Sequence, residues 1–299
     1  MSVPVDSFSI HLLIHVQLIL DEADTLLDMG FRADIEAIMQ ELPNTSVRQT
    51  FLFSATVSEG IQQIANAHLA PNHLFVNCVS DDASPVHDHI PQYHTVVPSA
   101  KDQLPHIMRL IYQDQLEHGN KSKVVVFLST TKHTQLSASI FDTLARDVLP
   151  ENRTNILELH SKLSMNGRER AAHYFRNARN ASVLVTSDVS ARGVDYPGVT
   201  RVIQVGIPKS AEQYIHRVGR TGRGTSRTGR GDLVLLPWEF EFVRRNMSHI
   251  PLQPLTVADF ASSTLETLKE TGDTKKIVKF EDIDRTVTEC LANLDQEAV

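Results

Sequence analysis

Short apolar runs separated by longer amphipathic stretches recur along most of the chain. "VQLIL" (16–20), "QTFLF" (49–53) and "LFVNCV" (74–79) read as strands, and "RADIEAIMQEL" and "SEGIQQIANAHL" between them read as helices. A second series supplies six more strand-like runs, "YHTVV", "KVVVFL", "NILEL", "SVLVT", "TRVIQV" and "DLVLL", again with helical stretches between. Runs of this kind, β-branched and alternating with helices of ten or more residues, imply parallel sheets covered on both faces. The first series supplies about half a domain and the second a complete doubly wound one. Between them "SDDASPVHDHIPQ" is polar, Pro-containing and aperiodic, as a linker is. After about residue 250 the strands stop, and a Pro-spaced, then charged stretch predicts a helical tail. The expectation is an α/β chain with a partial first domain at 1–84, a linker at 85–92, a second domain at 93–250 and an extension at 251–299.

Composition narrows this picture only a little. A chain of 299 residues, 41% hydrophobic, has room for two cores. Cys78 and Cys290 lie far apart and form no CxxC pair, so a disulfide framework is not expected and a reducing, intracellular compartment is. No apolar run approaches the roughly 20 residues of a membrane span. The first twenty residues lack the basic start and small-residue cleavage site of a signal peptide, and the Arg content of a mitochondrial presequence. A net charge of −7 argues against polyanion binding by the whole chain and leaves a local basic face open.

Chemistry concentrates where strands end, the edge at which open α/β sheets bind ligands. "LILDEAD" closes a strand with Asp21, Glu22 and Asp24. One such carboxylate can hold hydrated magnesium and its neighbour can orient a water on a γ-phosphate, although a solvated acidic turn has the same composition. "FLFSATVSEG" places Ser54 and Thr56 after another strand, where hydroxyls can bond Asp24; Thr56 or Ser58 would equally serve as a plain helix N-cap. In "VLVTSDVSARGVDYPGV" the hydroxyls of Thr186 and Ser187 suit a nucleic-acid phosphate, Gly193 permits close backbone approach and Asp195 suits a ribose diol. In "YIHRVGRTGR" the residues Arg217, Arg220 and Arg223 recur every three positions, so that on a helix they would share one face. Such a face needs an anion among the guanidinium groups. An arginine delivered to a γ-phosphate contributes about 10³ to 10⁵ in rate, roughly 4 to 7 kcal/mol. Between 192 and 230 eight basic residues face only Asp195 and Glu212, a local surface suited to a polyanion.

Two patterns are set aside. "GTSRTGRG" from Gly224 has phosphate-loop spacing but carries Arg230 where Lys is required, and it precedes a strand instead of following one. The pairs His11/His15 and His87/His89 have metal-ligand spacing with no carboxylate or thiol to complete a zinc site.

Taken in order, "DEAD", "SAT", "VVVFLSTT", "TSDVSARGVD" and "YIHRVGRTGR" resemble the DEAD-box family of ATP-dependent RNA helicases over roughly residues 16–240. The second domain looks loosely like the fungal mitochondrial members, which slightly favours a mitochondrial location over nucleus or cytoplasm. The resemblance implies two RecA-like domains, ATP and Mg²⁺ as cofactors, and RNA as a partner gripped without regard to sequence, with no membrane involved. It implies that Asp21 acts on magnesium through water and Glu22 on the attacking water. Asp24, Ser54, Thr56 and His216 would couple ATP state to domain closure. Gly193, Asp195 and Arg217 would serve the nucleotide, and Arg220 and Arg223 would reach its γ-phosphate. Thr130, Arg168, Thr186 and Ser187 would hold the RNA backbone. Three positions depart from the family pattern: Met165 stands where an amide is expected, Ser161 where a glycine is, and Ser187 where threonine is. Nothing before residue 18 resembles the adenine-reading or Gly-Lys-Thr phosphate-loop segments, so the expectation is the C-terminal part of a longer helicase, the alternative being a non-catalytic RNA-binding fragment.

Overall fold

The computed structural model describes residues 16–28, 30–54, 57–78, 89–188, 196–222 and 229–293. The chain forms two compact units, residues 1–80 and 81–299.

In the first unit, strands β1 (Val16–Leu20) and β2 (Arg48–Leu52) pair in parallel, with Leu18 opposite Thr50 and Ile19 opposite Phe51. Helices α1 (Ala23–Asp28), α2 (Arg32–Glu41) and α3 (Glu59–His68) complete it. Ile35 and Met39 of α2 and Ile64 of α3 form its core against Leu18, Leu20, Leu26, Leu27 and Leu52. The opposite face of the two strands is bare: Ile19 is 58% exposed, and its partner Phe51 is also exposed. The run "LFVNCV" is not a third strand here. Residues 74–78 carry no ladder bonds, and Leu74 is 85% exposed, because no neighbouring strand among the described residues offers them an edge.

The second unit is a seven-stranded, all-parallel sheet in the order β5-β6-β4-β7-β8-β3-β9. Its strands are β3 (Gln92–Val96), β4 (Lys123–Phe127), β5 (Asn155–Leu159), β6 (Ser182–Thr186), β7 (Arg201–Val205), β8 (Arg230–Leu235) and β9 (Gln253–Pro254). Alternate residues of the central strands feed opposite faces, as strand periodicity requires. Val124, Val126, Val183, Val185 and Ile203 pack beneath helices α4 (Gln103–His118) and α5 (Thr131–Val148). Val125, Phe127, Leu184 and Val202 pack with Phe175 of α6 (Met165–Asn177) and Tyr196. Helices α7 (Ala211–Val218) and α8 (Phe240–Asn246) cover Leu233 and Leu235 through Tyr214, Val218 and Val243.

The tail belongs to this unit. Helices α9 (Val257–Thr271), α10 (Thr274–Glu281) and α11 (Ile283–Ala292) bury Phe260, Leu268, Phe280, Ile283 and Val287 in the α4–α5 core. Tyr112 donates its hydroxyl to Lys276 O at 2.7 Å, and Arg109 pairs with Asp284. Lys279 Nζ donates to Arg146 O and Leu149 O, the carbonyls that close the C-terminus of α5, each at 3.3 Å. At the other side of the unit Ile90, in the segment expected to be linker, is a core residue, and Gln92 already opens β3. No helix among the described residues is long and apolar enough to cross a membrane.

The amino-terminal ends of β7 and β8 carry buried charge. Arg201 is fully buried; it donates to Leu110 O and Gln113 Oε1 and lies 3.6 Å from Asp232 and 3.7 Å from Asp114. Arg230 grips Asp232 as well, at 2.7 Å, and sits 4.3 Å above the Tyr93 ring. His106 of α4 faces this cluster and packs edge-on to Phe260. Burial pushes its pKa down to about 4, against a smaller upward pull from Asp232.

An unfolded chain protonates His106 near pH 6.5, whereas the fold keeps it neutral until about pH 4. The unfolded state therefore binds more protons in that window. No penalty exists above pH 6.5, and roughly 3 kcal/mol of stability is lost as the pH falls from 6.5 to 4. Replacing His106 by Leu should remove that part of the pH dependence. Urea unfolding followed by near-UV circular dichroism reads it, since all five tyrosines lie in this unit.

Candidate functional site

In the first unit, the acidic turn follows β1 directly. Phe53 N donates to Leu20 O at 2.7 Å and Ala23 N to Phe53 O at 3.0 Å, so the end of β2 is stitched to the start of α1. Asp21 is exposed, and its Oδ1 accepts from Glu22 N at 2.9 Å. Glu22 is the one non-glycine among the described residues with positive φ, at +50°. That left-handed backbone is rare for a glutamate and turns the chain sharply between strand and helix. Asp24 is buried in the first turn of α1, where the helix dipole favours a carboxylate, and its Oδ1 accepts from Thr25 N at 2.9 Å. Ser54 lies one residue past the Phe53 contact, on the same strand edge. Thr56 lies outside the described residues. Ser58 caps α3, accepting from Ile61 N at 3.4 Å, which settles the cap in favour of Ser58.

In the second unit the expected RNA residues gather at the carboxyl ends of neighbouring strands. Thr130 follows β4 and is exposed; it caps α5 by accepting from His133 N at 3.1 Å. Thr186 ends β6, but its hydroxyl is fully buried and donates to Leu159 O at 2.7 Å. Ser187 is different: its Oγ is buried without a hydrogen-bond partner. His160, across from Ser187 at the end of β5, is 1% exposed with both ring nitrogens unpartnered and Nε2 3.6 Å from Glu158. Arg168, in the first turn of α6, has a buried Nε that is also unpartnered. Buried polar groups left open cost about 1 to 3 kcal/mol each, a cost that a ligand bonding them would recover.

Arg217 and Arg220 do not share a helix face. Helix α7 stops at Val218 with Gly219 as its C-cap, so Arg220 lies in the turn beyond, its Nε donating to His216 O at 3.3 Å. Arg217 has its own anion. It forms a two-pronged pair with Asp188 at 2.6 and 2.7 Å, donates to Gln204 Oε1 at 3.4 Å, and sits 5.3 Å over the Phe127 ring. Gln204 donates in turn to Tyr214 O, and Tyr214 OH to Gln92 Oε1. This chain ties β3, β7, α7 and the end of β6 together. Arg223, Gly193 and Asp195 lie outside the described residues. Asp188 was missed as a site residue although its signal was present: the acid that follows two hydroxyls in "VTSD". His160 was visible only as half of the His-Ser departure.

Breaking a buried ion pair from one side leaves an uncompensated charge. Asp188→Ala should therefore lower the stability of the second unit by about 3 kcal/mol, whereas Asp21→Ala, on an exposed carboxylate, should change the stability of its unit by less than about 0.5 kcal/mol. Chemical denaturation of the two variants checks the contrast.

Comparison with known proteins gives two family matches: the DEAD/DEAH box helicase over residues 9–64 and the helicase conserved C-terminal domain over residues 102–225. The DEAD-box ATP-dependent RNA helicase 31 of Arabidopsis thaliana is 45% identical over 256 residues, which is 85% of this chain and 33% of that protein. The mitochondrial ATP-dependent RNA helicase mss116 of Aspergillus oryzae is 37% identical over 238 residues, 79% of this chain and 36% of that protein. The chain thus spans about a third of the length of these relatives. Among solved structures, the DEAD-box helicase Mss116 bound to ssRNA and UDP-BeF matches with a TM-score of 0.70 at 25% identity, over 91% of this chain and 60% of that one.

Proposed function

The chain belongs to the DEAD-box RNA helicase family, and on that premise we propose that it carries the hydrolytic and RNA-gripping residues of an ATP-dependent RNA helicase. The observation that carries the reading is the edge just described, where Ser187 Oγ and Arg168 Nε wait unpartnered beside the exposed Thr130. A sugar-phosphate backbone supplies the acceptors they lack, and such contacts are blind to sequence.

In this reading Asp21 takes a water of a hydrated magnesium ion. A single exposed carboxylate suits an ion that draws its other ligands from water and phosphate, and among the described residues no cluster of three or more His, Cys, Asp or Glu could hold a metal unaided. Magnesium would neutralise charge on the β- and γ-phosphates. Glu22, aimed by its left-handed backbone, orients the attacking water, and Asp24, Ser54, Thr56 and His216 report nucleotide state. Gly193 and Asp195 hold the ribose, and Arg220 and Arg223 meet the γ-phosphate. Arg217, held by Asp188, serves the nucleotide as a positioning residue that sets where α7 ends and so where Arg220 emerges. Thr186 uses its hydroxyl to hold the end of β5, which leaves Ser187 as the hydroxyl for RNA. The functional division we favour follows 1–84, 85–92, 93–250 and 251–299, with the end of the linker, from Ile90, already packed into the second domain and the tail serving as its brace. A mitochondrial site of action is the compartment we favour.

One observation favours a second reading. The seven-stranded unit holds Thr130, Arg168 and Ser187 on its own carboxyl side, so it would bind RNA regardless of nucleotide. RNA affinity that tightens with a non-hydrolysable ATP analogue would rule this out.

Two measurements test the main reading. In a chain that carries these residues behind a phosphate-binding loop, Glu22→Gln should cut RNA-stimulated phosphate release by about 10² to 10⁴-fold. Turnover retained within tenfold would sink the role of Glu22. For RNA binding, Arg168→Ala should weaken affinity equally for all sequences and reduce the slope of log K against log salt by about 0.7, the share of one phosphate contact on a single strand.

A further inference from the structure

Trp238 is the sole tryptophan of the chain, and it is 69% exposed on the same sheet edge as the RNA residues. Its presentation is rigid. Residues 236–239 form a turn in which Glu239 N donates to Leu236 O at 2.9 Å, with Pro237 at the position that favours a preset φ. The Glu239 carboxylate reaches back to accept from Leu236 N at 2.7 Å, closing the turn a second time. The next residue, Phe240, is stacked on His94 with ring centroids 5.2 Å apart. A backbone closed twice presents the indole from a fixed point, so part of its ordering cost is met before any ligand arrives.

The turn adjoins the RNA edge through one residue. Gly206, which follows β7, has φ +81°, and a Cβ placed on it would lie 3.3 Å from Glu239 Oε1 and 3.8 Å from Ser129 Oγ. Ser129 immediately precedes Thr130. Strands β4, β7 and β8 are consecutive in the sheet, so the ends that carry Thr130 and Trp238 are about 10 Å apart. Apolar Ile207 and Val96, both partly exposed, end the strands on either side of β8. Lys209 adds an exposed cation on the loop beyond β7. An aromatic face flanked by apolar groups and a cation, beside phosphate-gripping hydroxyls, is how single-stranded nucleic acid is held by stacking.

We infer that Trp238 is a stacking platform for an unpaired base of the RNA strand gripped at Thr130 and Ser187, an inference that rests on the RNA reading above. It adds a base contact to an interface otherwise made of backbone contacts. Because every base has a π-face, the contact strengthens single-strand binding while reading little sequence.

The test uses the 299-residue chain, an end-labelled oligouridylate and an abasic oligomer of the same length. Label anisotropy reports binding, and the emission of Trp238 reports stacking in the same titration. The expected result is that both oligomers bind at low salt and only the one with bases quenches Trp238. Trp238→Ala should weaken oligouridylate binding fivefold or more without altering the salt slope, and Trp238→Phe should restore most of it. Anisotropy that rises while Trp238 emission stays constant overturns the stacking role, keeps the RNA reading and leaves the indole to a protein partner. Equal quenching by the abasic oligomer overturns it too. Quenching by ADP alone, with none by oligouridylate, assigns the indole to the adenine of the nucleotide instead. No anisotropy change at low salt removes the RNA reading itself.

Discussion

A parallel strand buried on both faces can place polar side chains only at its two ends. In the second unit that constraint organises everything else. The middles of β4, β6 and β7 are valine, leucine, isoleucine and phenylalanine packed above and below, Gln204 of β7 being the polar exception. Most of the charge and hydroxyl chemistry of these central strands falls at their two ends. At the amino ends Arg201, Arg230, Asp232 and Asp114 pair with one another, although Arg201 Nε, Asp114 Oδ1 and both ring nitrogens of the neighbouring His106 lack hydrogen-bond partners. At the carboxyl ends Ser187, His160 and Arg168 keep donors or acceptors unpaired. Unpaired buried groups cost stability at either end, and what sets the carboxyl ends apart is that they stand beside the exposed Thr130.

The two arginines of the HRxGR stretch show how neighbouring residues of one type acquire separate duties. Arg217 is inside, clamped to Asp188 and laid over Phe127. Arg220 emerges from the turn that Gly219 permits. The Arg217–Asp188 pair stands between the end of β6, with Thr186 and Ser187, and α7, beyond whose end Arg220 emerges. Any change in how α7 sits must load that pair.

The strands of the second unit were legible because each was a dense β-branched run, and their boundaries hold to within a residue or two. The carboxyl-edge placement of Thr130, Thr186 and Ser187 followed from where those runs end. What escaped depended on partners distant in the chain. "LFVNCV" has every local property of a strand, yet pairing needs an adjacent edge, and none of the described residues provides one. β9 is only two residues, Gln253–Pro254, too short for periodicity to register. The arginine spacing of three suggested a shared helix face, but Gly219 ends the helix after the first of them. Asp188 was assigned no role because nothing in its neighbourhood in sequence indicates that Arg217, 29 residues on, will close upon it. The tail was expected to be helical, but whether it packed could not be read, since that depends on which faces α4 and α5 leave uncovered.

Helix α5 begins at the RNA edge, with Thr130 as its cap, and ends under Lys279 of the tail. Its 18 residues make a strut about 27 Å long. The far end of the strut is held by a lysine from a helix some 130 residues later in the chain. The tail therefore braces the same helix that presents Thr130, so truncating α10 would remove a support of α5.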